Sequence, residues 1–371
     1  MADTRPPPTR VCVCARAGRN AALSCFEQRE RGARARAQGL RGGRTRVQQC
    51  LSVCAYGGAV WKLTTPCARR PPGKNYRENR VILGTHTSES DQNFLMIAKV
   101  TTPIEHEDLI ENRKYDEYTQ EAGGYGQNRS QVEIVQRINH EGEVNRARYL
   151  PQNPTVMATK GPSKDVLVFD YTKHSSQPAS DGVCRPQVRL GGHTDEGYGL
   201  CWNPLQEGVV VSASNDGIIC MWDIESKTEN KRIPQPLATF AAHKGAAQDV
   251  TCSTFQAHTF ASVGDDQFLM IWDDRTADKA AMAVRAHEAE VNAVAFNPHK
   301  EELLLTASAD RTVAMWDIRN LSKMIYSFQH HQDAVMQVQW SPEHPDIFAS
   351  AAQDRRVCVW DIRSVGVVCL V

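Results

Sequence analysis

The chain has 371 residues, 41% of them hydrophobic and 7% aromatic, and its 43 Lys and Arg balance 43 Asp and Glu. It is too long for a mini-protein, too apolar to be disordered throughout, and too neutral to be a polycation that binds nucleic acid along its whole length. The neutrality conceals a division: residues 1–75 carry 15 basic and 3 acidic groups, a net +12, while residues 76–371 carry 28 and 40, a net −12. An acidic body selects basic partners, and the basic arm points the other way.

The arm, with runs such as Arg31-Gly-Ala-Arg-Ala-Arg36 and Arg41-Gly-Gly-Arg44, has neither helical nor alternating apolar periodicity. It is expected to be a disordered extension over residues 1–75. An organelle transit peptide, a nuclear import signal and an arm touching nucleic-acid phosphate are its three functional readings. Only Ser24 and Ser52 are serines there, which weakens the first. The plainer reading is an extension without a role, or translated non-coding sequence joined to the protein. No run approaches 18 apolar residues and Met1–Arg10 lacks an apolar core, so the chain reads as soluble and unsecreted, with no membrane partner. The body's cysteines stand singly in apolar runs, as in Gly199-Leu-Cys201-Trp202 and Ile219-Cys220-Met221, and read as reduced core residues of an intracellular protein. Cys12, Cys14, Cys50 and Cys54 have no His or second Cys pair at finger spacing, so neither metal nor cofactor is expected.

Beyond the arm the chain repeats. Trp-Asp pairs stand at 222/223, 272/273, 316/317 and 360/361, with Phe169-Asp170 ahead of them. A histidine lies 29 residues before each aromatic: His140, His193, His243, His287 and His331. Thr159, Ser212, Ser262, Thr306 or Ser350 follows the histidine by 19 residues, and in the last four repeats Asp216, Asp266, Asp310 or Asp354 follows by 23. Within the third unit the runs Gly199–Asn203, Val209–Ala213 and Ile218–Asp223 are broken by Asn203-Pro204 and Asn215-Asp216-Gly217, the pattern of a strand meander. A fourth run, Leu237–Phe240, precedes the next histidine. Four strands per unit make a propeller blade, so the fold class is all-β and the propeller occupies residues 76–371. Six units fall around 81–135, 136–184, 185–236, 237–281, 282–325 and 326–371. The first is expected to be fragmentary, with Val81–Thr87 and Phe94–Val100 followed by an acidic loop near Pro103–Ser130. The apolar tail Val365–Val371 offers an outer strand to the last.

This phasing resembles the WD-repeat propellers. The resemblance implies a hydrogen-bonded tetrad in each blade: His193, Ser212, Asp216 and Trp222; His243, Ser262, Asp266 and Trp272; His287, Thr306, Asp310 and Trp316; His331, Ser350, Asp354 and Trp360. Donor and acceptor chemistry agrees, since an indole N–H can only donate, a hydroxyl can accept and pass a bond to imidazole, and the other imidazole nitrogen can donate to a carboxylate. His193, Ser212 and Asp216 are also the ingredients of a hydrolase triad. The same set occurs four times, however, with its serine inside a strand, so no enzyme activity is expected. Gly123–Gly126 lacks a strand-to-helix context and is not read as a phosphate cradle.

More specific runs are Gly84-Thr-His-Thr-Ser88, Ile138-Asn-His-Glu-Gly-Glu-Val-Asn-Arg-Ala-Arg148, Pro151-Gln-Asn-Pro154, Asp165-Val-Leu-Val-Phe-Asp-Tyr-Thr-Lys-His174 and Glu196-Gly-Tyr-Gly199. They closely resemble the histone-binding retinoblastoma-binding proteins, a family that includes the small subunit of chromatin assembly factor 1, over roughly Pro71 to Arg363. That resemblance implies a seven-bladed nuclear scaffold that binds core histones. It also implies sharing among histone deacetylase, nucleosome-remodelling, Polycomb and chromatin-assembly complexes, with nucleic acid met at most by the basic arm.

Residues three and five after each histidine fall where the innermost strand begins, near the channel rim: Glu143/Asn145, Glu196/Tyr198, Ala246/Gln248, Glu290/Asn292 and Ala334/Met336. Asp265 approaches the same rim. Their carboxylates can hold an Arg or Lys side chain by charge-assisted hydrogen bonds, and the resemblance supports a histone-tail site there, on Glu143, Asn145, Glu196, Tyr198, Asp265, Glu290 and Asn292. Gln248 and Ala334 depart from the carboxylates usual in that family, which implies a weaker or differently selective grip.

At the ends, the family's long amino-terminal helix and first inner strand have no counterpart before Pro71, where Ala59-Val-Trp-Lys-Leu63 is at best a stray strand. Its acidic loop and last blade are missing after Asp361. The side groove they form for a histone helix is therefore expected to be absent. About six blades are left, as a gapped seven-blade ring or a strained six-blade closure. Two other roles remain open. Arg275, Arg319 and Arg363, in Trp-Asp-x-Arg runs, resemble the adaptor contacts of cullin-RING ubiquitin ligase receptors, although solvent-facing turn residues look the same. A bare propeller also suits a cytoplasmic scaffold for trafficking or RNA processing.

Overall fold

Short β-branched and aromatic runs bounded by Asn, Asp, Gly and Pro become antiparallel strands throughout. The computed structural model describes residues 60–63, 76–87, 92–103, 115–116, 121–122, 131–224, 231–276, 279–363 and 366–370. Cys12, Cys14, Cys50, Cys54, Gly123–Gly126 and both elements of the expected side groove lie outside them. Among the described residues the architecture is a six-bladed β-propeller. Its helical content there is the single 3-10 turn Tyr171–Lys173, and no helix is long and apolar enough to cross a membrane.

Blade 1 is β1 (Val60–Leu63), β2 (Tyr76–Gly84), β3 (Asn93–Pro103) and, after the small hairpin β4 (Tyr115–Asp116) and β5 (Glu121–Ala122), β6 (Gln131–His140). Blade 2 is β7 (Arg146–Tyr149), β8 (Val156–Lys160), β9 (Val166–Asp170) and β10 (Val188–Leu190). Blade 3 holds β11 (Leu200–Trp202), β12 (Val209–Ala213) and β13 (Ile219–Asp223). The next strand, β14 (Lys231–Ile233), leaves to pair in parallel with β10 before β15 (Ala238–Phe240) completes the blade. Blade 4 is β16 (Ala247–Cys252), β17 (Thr259–Gly264), β18 (Phe268–Asp273) and β19 (Met282–Arg285); blade 5 is β20 (Val291–Phe296), β21 (Leu303–Ser308), β22 (Thr312–Asp317) and β23 (Tyr326–Gln329). Blade 6 is β24 (Val335–Trp340), β25 (Ile347–Ala352), β26 (Val357–Asp361) and β27 (Gly366–Leu370), the last drawn from the apolar tail.

Blade 1 differs from the fragment expected. Val60–Leu63 is no stray strand but the innermost one, paired antiparallel with Arg80–Leu83 of β2. The unpaired N–H and C=O groups on that side of β2 need a partner, and this segment supplies it.

Middle strands lie between neighbouring blades and are buried on both faces, as β12 and β21 are along their whole length, so they read as continuous apolar runs. Outer strands such as β19 and β23 alternate. Five clusters fill the junctions between consecutive blades. At the 3/4 junction Phe240 meets Phe260 edge-on at 4.9 Å and Phe260 stacks on Trp272; at 5/6 Phe328, Phe348 and Trp360 repeat the arrangement. In the turn after the repeat aspartate, Gly217, Gln267, Arg311 and Arg355 all adopt positive φ.

Candidate binding face of the propeller

In blades 4 to 6 the phased side chains close into tetrads. Trp272 Nε1 donates to Ser262 Oγ at 2.8 Å, Ser262 meets His243 Nε2 at 2.7 Å, and His243 Nδ1 lies 3.0 Å from both Asp266 oxygens. Trp316, Thr306, His287 and Asp310 connect at 2.9, 2.8 and 2.9 Å, and Trp360, Ser350, His331 and Asp354 at 2.9, 2.8 and 3.1 Å. Burial by itself would raise the aspartates. Bonds from imidazole and backbone N–H groups outweigh it and hold Asp266, Asp310 and Asp354 below the usual carboxylate range.

Blade 3 departs from the expected tetrad. Trp222 Nε1 donates to Gly191 O at 3.1 Å, and the second bond to Ser212 Oγ comes from Lys160 Nζ of β8, at 2.8 Å. Lys160 is fully buried and also donates to Ala213 O at 2.8 Å. Burial pushes its ammonium down to about 7, against the pull of Asp216, Cys220, Asp195 and Glu196. His193 keeps Ser212 at 3.0 Å and stands 3.4 Å from Asp216. Ser212 is thus buried and held by two neighbours, which leaves no open face for nucleophilic attack. In blade 2, His140 bonds Thr159 at 2.9 Å, its other nitrogen meets Gly142 O, and Phe169 lies against the ring.

The rim gathers residues from blades 1 to 6. Tyr198 is 40% exposed. Its phenol is pushed up by partial burial and then by the Glu196 and Glu143 carboxylates, so charge from blades 2 and 3 converges on it. Glu143 Oε2 also meets His86 Nδ1 of blade 1 at 2.9 Å. The Glu196 loop is fixed by its neighbours: Asp195 Oδ1 accepts the Glu196 N–H, and the Glu196 carbonyl accepts from Asn215 N and Ser214 Oγ. Gly197 is required by close approach, since a Cβ there would lie 2.6 Å from Ala213 O.

Positions five after the histidine have a structural cause that periodicity did not reveal. In β16, β20 and β24 the pairing register skips one residue, at Gln248, Asn292 and Met336. Such bulges turn a side chain out of the ladder. Gln248 Nε2 donates to Asp265 Oδ1 at 2.9 Å, and Asn292 Nδ2 donates to Val335 O of blade 6 at 2.8 Å. Asn292 is therefore engaged by the protein itself. Glu290 is exposed, and its carbonyl accepts from Ala309 N and Ser308 Oγ. Asn145, expected on the open rim, is buried instead, and neither amide atom of its side chain is hydrogen-bonded. Beneath the rim, buried Arg146 Nη1 of blade 2 pairs with Asp249 Oδ1 of blade 4 at 3.4 Å, and Asp249 Oδ2 accepts Val294 N of blade 5. Sequence reasoning missed both residues; charge at inward positions of innermost strands was the available signal.

Arg275, Arg319 and Arg363 lie at the opposite strand ends, exposed, each folded back on the carboxylate of its own Trp-Asp pair. Asp273 is held down to about 2 chiefly by its bonds from Arg275.

Six sheets stacked through phased tetrads define a WD-repeat β-propeller. Residues 184–223, 234–273, 280–317 and 322–361 match the family model described as WD domain, G-beta repeat. Residues 49–104 match the model that describes the histone-binding protein RBBP4, a component of the CAF1 complex. The chain belongs to this RBBP4/CAF1 family of WD-repeat histone-binding proteins. The second match takes in β1 to β3 and begins before Pro71, so the family's signature extends further toward the amino terminus than its runs of identical residues suggested.

Proposed function

We propose that this protein is a non-catalytic histone-binding scaffold that holds Arg- or Lys-rich segments of core-histone tails at the acidic rim. The observation that carries the proposal is the convergence of Glu143 and Glu196 on the half-exposed ring of Tyr198. A guanidinium or ammonium placed there would bond both carboxylates and lie against an aromatic face. Asp265 and Glu290 extend the negative edge toward blades 4 and 5, whereas Ala246 and Ala334 add none, so the grip is lopsided. The net −12 of residues 76–371 favours steering of basic tails. Family membership supports histones as the partners. It also supports work in the nucleus within chromatin-assembly, remodelling, deacetylase and Polycomb complexes, with the rim engaging the tail and the outer blade surfaces left for other proteins of the assembly.

The test is titration of a fluorescent core-histone tail peptide with the full chain at several salt concentrations, beside the Glu143→Lys/Glu196→Lys double variant. Saturable, salt-weakened binding that falls by at least about 30-fold in the variant is expected, corresponding to about 2 kcal/mol for a reversed charge contact. Equal binding by both proteins would reject the rim as the site.

A further inference from the structure

The junction between blades 3 and 4 contains a pair of thiols from different innermost strands. Cys201 lies in β11, Cys252 ends β16, and their sulfurs are 2.6 Å apart. That is nearer than unbonded sulfurs rest and about half an ångström beyond the length of a disulfide.

The pairing follows from the blade repeat as well as from this distance. Nine residues after the repeat histidine stand Trp202, Cys252, Phe296 and Trp340. Trp202 Nε1 donates to Arg148 O and Trp340 Nε1 to Ala295 O, and each acceptor stands eight residues after the histidine of the preceding blade. Cys201 is the corresponding eighth residue of blade 3. The propeller thus sets position nine of one blade against position eight of the one before. Where other junctions use an indole and a carbonyl, this one brings two thiols together.

We propose that Cys201 and Cys252 form a disulfide that staples blades 3 and 4 when the protein meets a small hydroperoxide. Cys201, the more open of the two, attacks the peroxide oxygen as thiolate, giving a sulfenic acid and water when the peroxide is hydrogen peroxide. Cys252 then attacks that sulfur, the S–S bond forms, and the hydroxyl leaves as a second water with the Cys252 proton. Two thiols are oxidised and one peroxide is reduced. Burial and the neighbouring thiol hold Cys201 well above the ordinary thiol range, so the first step is slow. The staple therefore records sustained oxidation, and the reduced pair is the resting form in a reducing compartment. Tyr198 precedes Cys201 by three residues and Gln248 precedes Cys252 by four, so the bond would fix the spacing of the rim between those two blades.

The test treats the reduced full chain with hydrogen peroxide, blocks remaining thiols in denaturant, digests, and maps linked peptides by mass spectrometry. Expected are a peptide pair containing Cys201 and Cys252, its loss in Cys201→Ser and in Cys252→Ser, and its disappearance on reduction. The unfolding midpoint should rise by about 5–10 °C on oxidation and return with reductant. Blocked Cys201 and Cys252 after oxidation of the wild-type chain, or a bond from Cys252 to Cys220 or Cys358, would overturn the proposal. The wild-type map is decisive even if a serine variant fails to fold.

Discussion

Replacing Lys160 by Met removes a fully buried ammonium that donates to Ser212 Oγ and Ala213 O and titrates at about 7. In the unfolded chain a lysine titrates near 10.4. Between those values the unfolded state binds a proton that the folded state has released, so stability rises with pH, by at most about 1.4 kcal/mol per unit. Near pH 7 the group is half protonated and the slope is about half its limit. Integrated from pH 7 to pH 9, the gain is about 2 kcal/mol. Lys160→Met has no such contribution, while other groups that titrate in this range are common to both proteins and cancel in the difference. The assay is urea unfolding of the full chain and the variant at pH 7, 8 and 9, followed by tryptophan fluorescence. Wild-type stability relative to the variant should climb by about 2 kcal/mol across the series. Parallel pH profiles would refute the reasoning, and a relative loss toward pH 9 would reverse its sign.

Two shorter predictions concern the tetrads and the rim. Ser262→Ala should cost about 2–3 kcal/mol in urea unfolding, because it strands the buried Trp272 N–H and removes the partner of His243 Nε2; a cost below about 0.5 kcal/mol would show that water or a shifted neighbour replaces the hydroxyl. Gly197→Ala should destabilise by about 1–3 kcal/mol, since its methyl meets Ala213 O at 2.6 Å. The displaced Glu196–Tyr198 segment should also bind a histone-tail peptide less tightly in the same fluorescence titration; unchanged affinity would separate rim geometry from the packing of Gly197.

The propeller was legible because each blade signs itself within about 30 residues: histidine, hydroxyl, aspartate and tryptophan recur at fixed intervals, and turn residues separate the strands between them. Contacts inside a blade are local in sequence and therefore readable. Contacts between blades join residues some 50 positions apart, and there the reading failed. Lys160 meets Ser212 across 52 residues, Asn145 is buried at the blade 2 entrance, and Arg146 reaches Asp249 past an intervening blade. β1 escaped notice for another reason. Its four residues stand in a basic stretch without periodicity, and only the open edge of β2 gives them a place. The rim residues were found by counting from the histidine, but the bulges that aim Gln248, Asn292 and Met336 leave no trace in apolar alternation, since a skipped residue looks like an ordinary one.

Repetition also separates framework from recognition. Every polar atom of a complete tetrad is spent on another member or on backbone, as in Trp272, Ser262, His243 and Asp266, so the feature that identifies the fold presents nothing to a ligand. Selectivity has to reside where the blades differ. Three residues after the histidine the series is Glu143, Glu196, Ala246, Glu290 and Ala334; five after, it is Asn145, Tyr198, Gln248, Asn292 and Met336. Two of those second residues, Gln248 and Asn292, are tied to protein acceptors, and Asn145 is buried, which leaves Tyr198 and Met336 as the exposed surfaces between the carboxylates. A basic side chain that seeks both charge and a face to lie on therefore has its best position beside Tyr198, between Glu143 and Glu196. The weaker side of the rim, at blades 4 and 6, is where a ligand can differ without losing its hold.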